Sequence, residues 1–156
     1  MKTFILKSAT NIPMKKLLLL VGLIFLINTS SSLAKQDEPY YSKKFCVDLF
    51  SGIPEDPIKE KGKTIARIDC ATTIKAMEFG WGDKGVFNNI GQSLYYSSKT
   101  GKLPSIVLLI SEDMKKEDIR KSISKIEDIN KAFEIDIEII LLQIPEGEII
   151  NKEDLK

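Results

Sequence analysis

The sequence predicts an α/β domain in which helices flank a mixed central sheet, in the order α-β-β-α-β-α-β. Strand-like segments at residues 63–69 and 74–79 are joined by a tight connection, which predicts an antiparallel hairpin. Residues 105–110 form a continuous apolar run, which is typical of a strand buried on both faces. Amphipathic helices at 83–99 and 115–133 precede the later strands, as crossover connections do in parallel sheets.

The other segments complete this pattern. Apolar residues at helical spacing (Tyr41, Phe45 and Leu49) predict a first helix over residues 40–50. Residues 53–62 are rich in charge and proline and are expected to form a loop or an irregular edge. Gly101 is the expected C-terminal cap of the helix at 83–99. The last strand is expected at 136–144, followed by a polar tail from Pro145.

Residues 1–34 have the features of a secretory signal peptide. A positive start at Met14-Lys15-Lys16 precedes an apolar run at 17–27, and Ser32-Leu33-Ala34 fits a signal-peptidase site. The apolar run is about half of the ~20 residues that span a bilayer, which favours a cleaved signal over an uncleaved anchor. We therefore expect a single mature domain at 35–156, periplasmic or secreted and without a stable membrane span, with Met14 as an alternative start.

Composition excludes several kinds of chemistry. Residues 35–156 hold 19 basic and 22 acidic residues, a net charge of −3, which counts against tight nonspecific nucleic-acid binding. The chain has no histidine, which excludes Ser-His-Asp and Cys-His catalysis and His-ligated zinc. Its two cysteines, Cys46 and Cys70, form either a disulfide in an oxidising compartment or two buried thiols, and spacing alone leaves both open.

One constellation points to a specific chemistry. Asp69 ends the first strand of the predicted hairpin and Glu78 lies near the end of the second, so hairpin pairing would bring them together. Two adjacent carboxylates repel unless a cation lies between them, and their oxygens suit Mg²⁺ or Mn²⁺. Such a metal activates water and stabilises charge on a phosphate. Lys84 would add positive charge there, and Gln92 and Tyr96, four apart, share one face of the following helix.

A structural interpretation of the same residues also stands. Acids at strand ends are common in turns, Lys84 would then be solvated, and Gln92 and Tyr96 would be half-buried residues facing the sheet. Trp81, between two glycines, is either an aromatic that caps the core or part of an exposed patch for a partner. The first reading is favoured because tryptophan is mostly buried.

The residues of this region resemble the PD-(D/E)XK nuclease superfamily, and a group of small bacterial members in particular. The resemblance rests on Arg67-Ile68-Asp69-Cys70, Ala76-Met77-Glu78-Phe79, Asp83-Lys84 and Ile90-Gly91-Gln92-Ser93-Leu94-Tyr95-Tyr96. Gln92-x-x-x-Tyr96 is similar to the helix motif of RecB-like nucleases.

The resemblance implies a restriction-endonuclease-like core and metal-dependent hydrolysis of nucleic acid. Asp69 and Glu78 would hold Mg²⁺ or Mn²⁺, and Lys84 would assist catalysis. Gln92 and Tyr96 would orient the site or the nucleic-acid backbone. Glu55 is a weaker candidate for an additional acid, in the segment before the first predicted strand.

The sequence departs from the superfamily pattern at one position. The pattern places a lysine two residues after the second acid, where this chain has Gly80. Lys84 is the candidate for a migrated lysine, whereas Lys75, three residues before Glu78, would point to the opposite face of the strand. Two alternatives follow: a non-catalytic exported binding or structural domain that keeps the fold, favoured by the signal peptide and the acidic balance, and an unrelated α/β domain.

Overall fold

The computed structural model describes residues 37–155, which contain three α-helices, six β-strands and one short 3-10 helix. In chain order these are α1 (Glu38–Asp48), β1 (Ile53–Glu60), β2 (Lys63–Ala71), β3 (Lys75–Trp81), α2 (Val86–Thr100), β4 (Leu103–Ile110), α3 (Lys116–Phe133), β5 (Glu138–Gln143), β6 (Glu148–Ile150) and the 3-10 helix (Lys152–Leu155). The predicted signal peptide at 1–34 and the alternative start at Met14 lie outside the described residues. Over residues 37–155, no helix has the length and apolar character needed to cross a bilayer.

The strands form one mixed sheet in the order β1-β2-β3-β4-β5-β6. β1 is antiparallel to β2, β2 is antiparallel to β3, and β6 is antiparallel to β5. β3, β4 and β5 are parallel, with α2 and α3 as the crossovers that parallel neighbours require. The predicted α/β class, the hairpin and the mixed sheet are confirmed.

The expectation of a loop or irregular edge at 53–62 was wrong in part, because this segment is the edge strand β1. Pro54 and Pro57 lie in an outer strand that pairs only with β2, and edge strands tolerate proline. The register shifts between Ile58 and Lys59, and Glu55 has φ +56°. Because of these irregularities, the sequence pattern did not indicate a strand.

The expected polar tail after Pro145 was also wrong, because residues 148–150 return as β6 against β5. Gly147 makes this turn with φ +79°. A β-carbon at Gly147 would lie 2.5 Å from Cε1 of Phe45, so the turn also requires glycine for space. Three residues are too few for a periodic signal, and the strand forms because β5 offers it a partner.

Two helices start away from their predicted positions. α1 starts at Glu38, before the predicted residue 40, because the Asp37 side chain caps it by accepting a hydrogen bond from Tyr40 N (3.2 Å). α2 starts at Val86 instead of residue 83, because Gly85 precedes it with φ +73°. Gly101, with φ +69°, ends α2, as predicted.

The core lies on both faces of the sheet. β4 divides its side chains between them: Ile106 and Leu108 pack toward α2 and α3, whereas Val107 and Leu109 pack toward α1. All four are fully buried, as the apolar run predicted. This two-sided burial makes β4 the rigid centre against which the neighbouring β3 is held.

A disulfide joins Cys46 of α1 to Cys70 of β2, the first of the two states that the sequence left open. The two Cα atoms are 5.3 Å apart, and both side chains are fully buried. Because Cys70 directly follows Asp69, the bridge fixes α1 next to the part of β2 that carries the predicted site.

Candidate active site

Asp69 and Glu78 come together where the ladder between β2 and β3 stops. The last backbone pair on this side is Cys70 with Met77, and beyond it the two strands diverge. At this point the Asp69 carboxylate replaces the missing backbone acceptor: its Oδ2 accepts a hydrogen bond from the Phe79 backbone N–H (2.9 Å). Glu78 is only 4% exposed. The two predicted acids therefore lie together, with a partly buried Asp69 bonded to the backbone and a buried Glu78.

The pair is electrostatically strained in the absence of a cation. Burial raises the pKa of Glu78 to about 9, and the charges of Asp69 and Glu38 add to this rise. Burial also raises the pKa of Asp69, although the hydrogen bond from Phe79 opposes the rise. Glu78 therefore holds a proton near neutral pH.

Gln92 and Tyr96 of α2 cover this pair, as predicted. When Glu78 is ionised, the Gln92 amide nitrogen faces it and donates to Oε1 (2.6 Å) and Oε2 (3.0 Å), because the reversed amide would place its oxygen against acceptors only. The same nitrogen lies 3.2 Å from the Tyr96 hydroxyl. Burial, followed by the charge of Glu78, raises the pKa of Tyr96, so its hydroxyl keeps its proton and hydrogen-bonds Glu78.

Glu38 is a third acid at the site that sequence reasoning missed. It begins α1 and lines a pocket with Glu78, and burial and the charge of Asp69 raise its pKa. Asp37 and Pro39 around it form a helix start, with an N-cap acid and a proline in the first turn. That signal was available, but it predicts only where the helix begins. The docking of α1 on the sheet brings Glu38 to the site.

The pocket at this site, called here the acidic pocket, has a volume of about 380 Å³. Lys84, in the turn before α2, lies on its wall and is the cation the sequence predicted there. The lining residues are Glu38, Glu78, Trp81, Lys84, Gly85, Asn88, Asn89 and Gln92.

Trp81 and Lys84 form the mouth of this pocket. Trp81 is half-buried against the α1-side core, with its ring centroid 6.4 Å from that of Tyr41 in an edge-on contact. Its ring also faces solvent beside Lys84, whose Nζ lies 5.9 Å from the ring centroid. Trp81 therefore caps the core and lines the pocket at once.

Glu55, the weaker candidate, lies in β1 and not in a loop before the first strand, which corrects its predicted placement. It sits between the pairs Pro54–Cys70 and Asp56–Ile68, opposite Asp69 on the neighbouring strand. Its charge adds to the rise in the pKa of Asp69. Its backbone carbonyl accepts a hydrogen bond from Arg67 Nη1 (3.2 Å). The Glu55 charge thus raises the pKa of Asp69 from the neighbouring edge strand.

Gly80, at the position of the superfamily lysine, lies against the Asn89 side chain. A β-carbon at Gly80 would lie 1.9 Å from Asn89 Nδ2, so α2 fills the space that a side chain at residue 80 would need. Asn89 is 7% exposed, and its Nδ2 has no hydrogen-bond partner. A buried donor without an acceptor costs roughly 1–3 kcal/mol. Sequence reasoning missed Asn89 because its contact with Gly80 is tertiary.

The donor set fits a divalent cation with an open coordination sphere. Among residues 37–155, no cluster of three or more His, Cys, Asp or Glu side chains is arranged to hold a metal ion. Asp69 and Glu78 offer two carboxylates, and Mg²⁺ is commonly bound by one or two carboxylates together with waters and substrate phosphates. A cation between them would also remove the repulsion that raises the pKa of Glu78.

Comparison with known proteins gives no match: no family model, no curated protein and no solved structure is significantly similar to this chain. The functional assignment therefore rests on the residues and geometry of the site.

Proposed function

We propose that this chain is a metal-dependent phosphodiesterase of the PD-(D/E)XK type that acts on nucleic acid. The observation that carries the proposal is the buried pair of Asp69 and Glu78 under the Gln92 amide. Two ionised carboxylates that are buried side by side destabilise a fold unless a cation lies between them. A site that binds Mg²⁺ or Mn²⁺ gives the arrangement a physical reason.

The topology supports a restriction-endonuclease-like core. If the edge strands β1 and β6 are set aside, the remaining elements follow the order α-β-β-α-β-α-β. The two acids lie on the antiparallel pair β2–β3, and the Gln-x-x-x-Tyr helix comes directly after it. This is the placement that the resemblance to the superfamily implies.

The residues of the site have distinct roles in the proposed reaction. A bound divalent ion supplies a water of lowered pKa and neutralises charge on the phosphate. Asp69 and Glu78 would hold the ion, Glu78 would give up its proton to allow this, and the Gln92 amide would stabilise the resulting Glu78 carboxylate. Lys84 attracts the phosphate at the mouth of the pocket. In the hydrolysis a water oxygen bonds to phosphorus and the ester P–O bond breaks, while the water loses one proton and the leaving oxygen gains one.

A neighbouring groove supports nucleic acid as the substrate. It is called here the Phe87 groove, and it shares Lys84, Gly85 and Asn88 with the acidic pocket. Phe87 is 62% exposed, and Lys125 Nζ lies 5.3 Å from its ring centroid. An exposed aromatic ring with lysines in the same groove is the combination that stacks a base and neutralises its backbone. In this groove two lysines, Lys84 and Lys125, outnumber the single acid, Asp83.

The second candidate is a non-catalytic exported domain that keeps this fold and binds a partner. The observation in its favour is Gly80, because Asn89 occupies the space of the superfamily lysine. The predicted signal peptide and the disulfide support export under either function, since disulfides persist in oxidising compartments.

Cleavage of fluorescently labelled oligonucleotides by the full chain in Mn²⁺ tests the proposal. We expect Asp69→Asn and Glu78→Gln to abolish cleavage and EDTA to do the same. Asp128→Asn, an exposed acid on α3, is the matched control and is expected to cleave like the wild type. A wild type that binds Mn²⁺ and oligonucleotide but does not cleave would favour the non-catalytic candidate.

A further inference from the structure

Asn89 carries a hydrogen-bond donor that the folded chain does not use. It lies in the first turn of α2, is 7% exposed, and its Nδ2 has no acceptor. Buried polar atoms without partners are rare in folded proteins, and they often mark the place of a ligand. Asn130 of α3 shows the usual arrangement, because its amide makes two hydrogen bonds with the backbone of Ile137 (3.0 and 3.1 Å).

The position of the amide is set by Gly80. A β-carbon there would lie 1.9 Å from Asn89 Nδ2 and 2.7 Å from its Cγ, so the amide rests on the bare backbone of β3. Gly80 follows Glu78 by two residues, which places both on the same face of the strand. Asn89 Nδ2 therefore lies next to the acid pair, above the position in β3 where Gly80 has no side chain.

Asn89 also lines the acidic pocket, together with Glu78 and Gln92. Gln92 is three residues further along the same helix face, and its amide is engaged with Glu78. Asp69 Oδ2 already accepts a hydrogen bond from the Phe79 N–H. Of the two amides on this face of α2, only that of Asn89 is left for a ligand.

We propose that Asn89 Nδ2 donates to a phosphoryl oxygen of the nucleic-acid strand bound in the acidic pocket. This inference rests on the proposed function, and it makes Asn89 a substrate-contacting residue that takes the space next to Gly80. A phosphoryl oxygen is a charged group that only accepts hydrogen bonds, and such groups form strong bonds with amide donors. Nδ2 lies against Gly80 in this structure, so the proposed contact requires the amide to turn about the Asn89 Cβ–Cγ bond, a soft torsion for asparagine.

The test measures the binding of a fluorescein-labelled single-stranded oligonucleotide by anisotropy, in Ca²⁺, for the full chain and its variants. We expect Asn89→Ala to weaken binding about 10-fold, which corresponds to about 1.4 kcal/mol. Asn89→Asp, which keeps the size but replaces the donor with an acceptor, is expected to weaken it further. Neither Mn²⁺ affinity nor the melting temperature is expected to fall in Asn89→Ala, because the wild-type donor makes no bond within the fold.

Asn130→Ala is the matched control, because it removes an asparagine that is bonded within the fold. We expect it to lower the melting temperature and leave oligonucleotide affinity unchanged. Equal oligonucleotide affinity of wild type and Asn89→Ala would overturn the inference and leave the proposed function standing. A wild type that binds neither Mn²⁺ nor oligonucleotide would overturn both.

Inorganic phosphate is titrated in parallel to separate the two sources of a phosphoryl oxygen. An Asn89-dependent affinity for phosphate as tight as that for the oligonucleotide would assign the contact to free phosphate and overturn the nucleic-acid inference.

Discussion

Asp69 accepts a hydrogen bond from the backbone N–H of Phe79, at the point where β2 and β3 separate. This bond replaces a backbone hydrogen bond that the diverging strands do not make, and it holds the Asp69 carboxylate beside Glu78. The Phe79 side chain points to the other face, where it is fully buried in the α1-side core. The residue that holds the Asp69 carboxylate is thus itself anchored in the core.

The stability of the metal-free protein is expected to fall as pH rises. The pKa of Glu78 is about 9 in the folded chain and near its ordinary value of 4.5 when unfolded, so the folded state binds more protons between these values. The stabilising effect of this proton is complete below pH 4.5 and is lost as pH rises toward 9, with a slope of up to about 1.4 kcal/mol per pH unit. Urea unfolding in EDTA over this range measures it.

Glu78→Gln supplies the control for that titration, because an amide at this position does not ionise. We expect the variant to lose most of the slope and to exceed wild-type stability at pH 8. A wild-type slope that is unchanged in Glu78→Gln would show that Glu78 does not hold the proton.

Gly80→Ala is expected to destabilise the fold through a clash with Asn89. The added β-carbon would lie 1.9 Å from Asn89 Nδ2, and overpacking of this kind costs about 1–3 kcal/mol. Asn89→Ala removes the clashing amide, so the double variant Gly80→Ala/Asn89→Ala should regain most of the loss. Chemical unfolding of the four proteins gives the coupling energy, and strictly additive effects would argue against the contact.

Removal of the disulfide is expected to lower stability by about 3 kcal/mol, because the bridge closes a loop between residues separated by 24 positions. The double variant Cys46→Ala/Cys70→Ala and the reduced wild type should unfold at similar urea concentrations. An oxidised wild type no more stable than the double variant would contradict this expectation.

Phe87→Ala is expected to weaken oligonucleotide binding about 10-fold, because base stacking on an aromatic ring contributes about 1–3 kcal/mol. Phe133→Ala is the matched control, since Phe133 is 68% exposed and Phe87 is 62% exposed. Fluorescence anisotropy compares the two variants. Equal affinities would remove the Phe87 groove from the binding surface.

The parts of the fold with a clear periodic pattern were predictable from the sequence. β4 and α3 were predicted almost to the residue, because a buried strand and an amphipathic helix each leave a strong local signal. The pairing of Asp69 with Glu78 was predictable for the same reason, since the hairpin and its tight turn set it.

The missed features depend on contacts between distant parts of the chain. β1 carries two prolines and a residue with positive φ, so its strand character comes from pairing with β2. Glu38 reaches the site only because α1 docks beside β2 and is bridged to it. Asn89 matters because it fills the space at Gly80, which no spacing in the sequence reveals.

Isothermal titration of the full chain with Mn²⁺ at pH 7 tests the central claim most directly, alongside Asp69→Asn, Glu78→Gln and the control Asp128→Asn. We expect saturable binding in wild type and control, weakened at least about 10-fold in the two site variants, since each removes a carboxylate ligand. Repeating the titration in buffers of different ionisation enthalpy should show release of about one proton, that of Glu78. A folded wild type that binds no Mn²⁺, or site variants that bind it as the wild type does, would contradict the proposal.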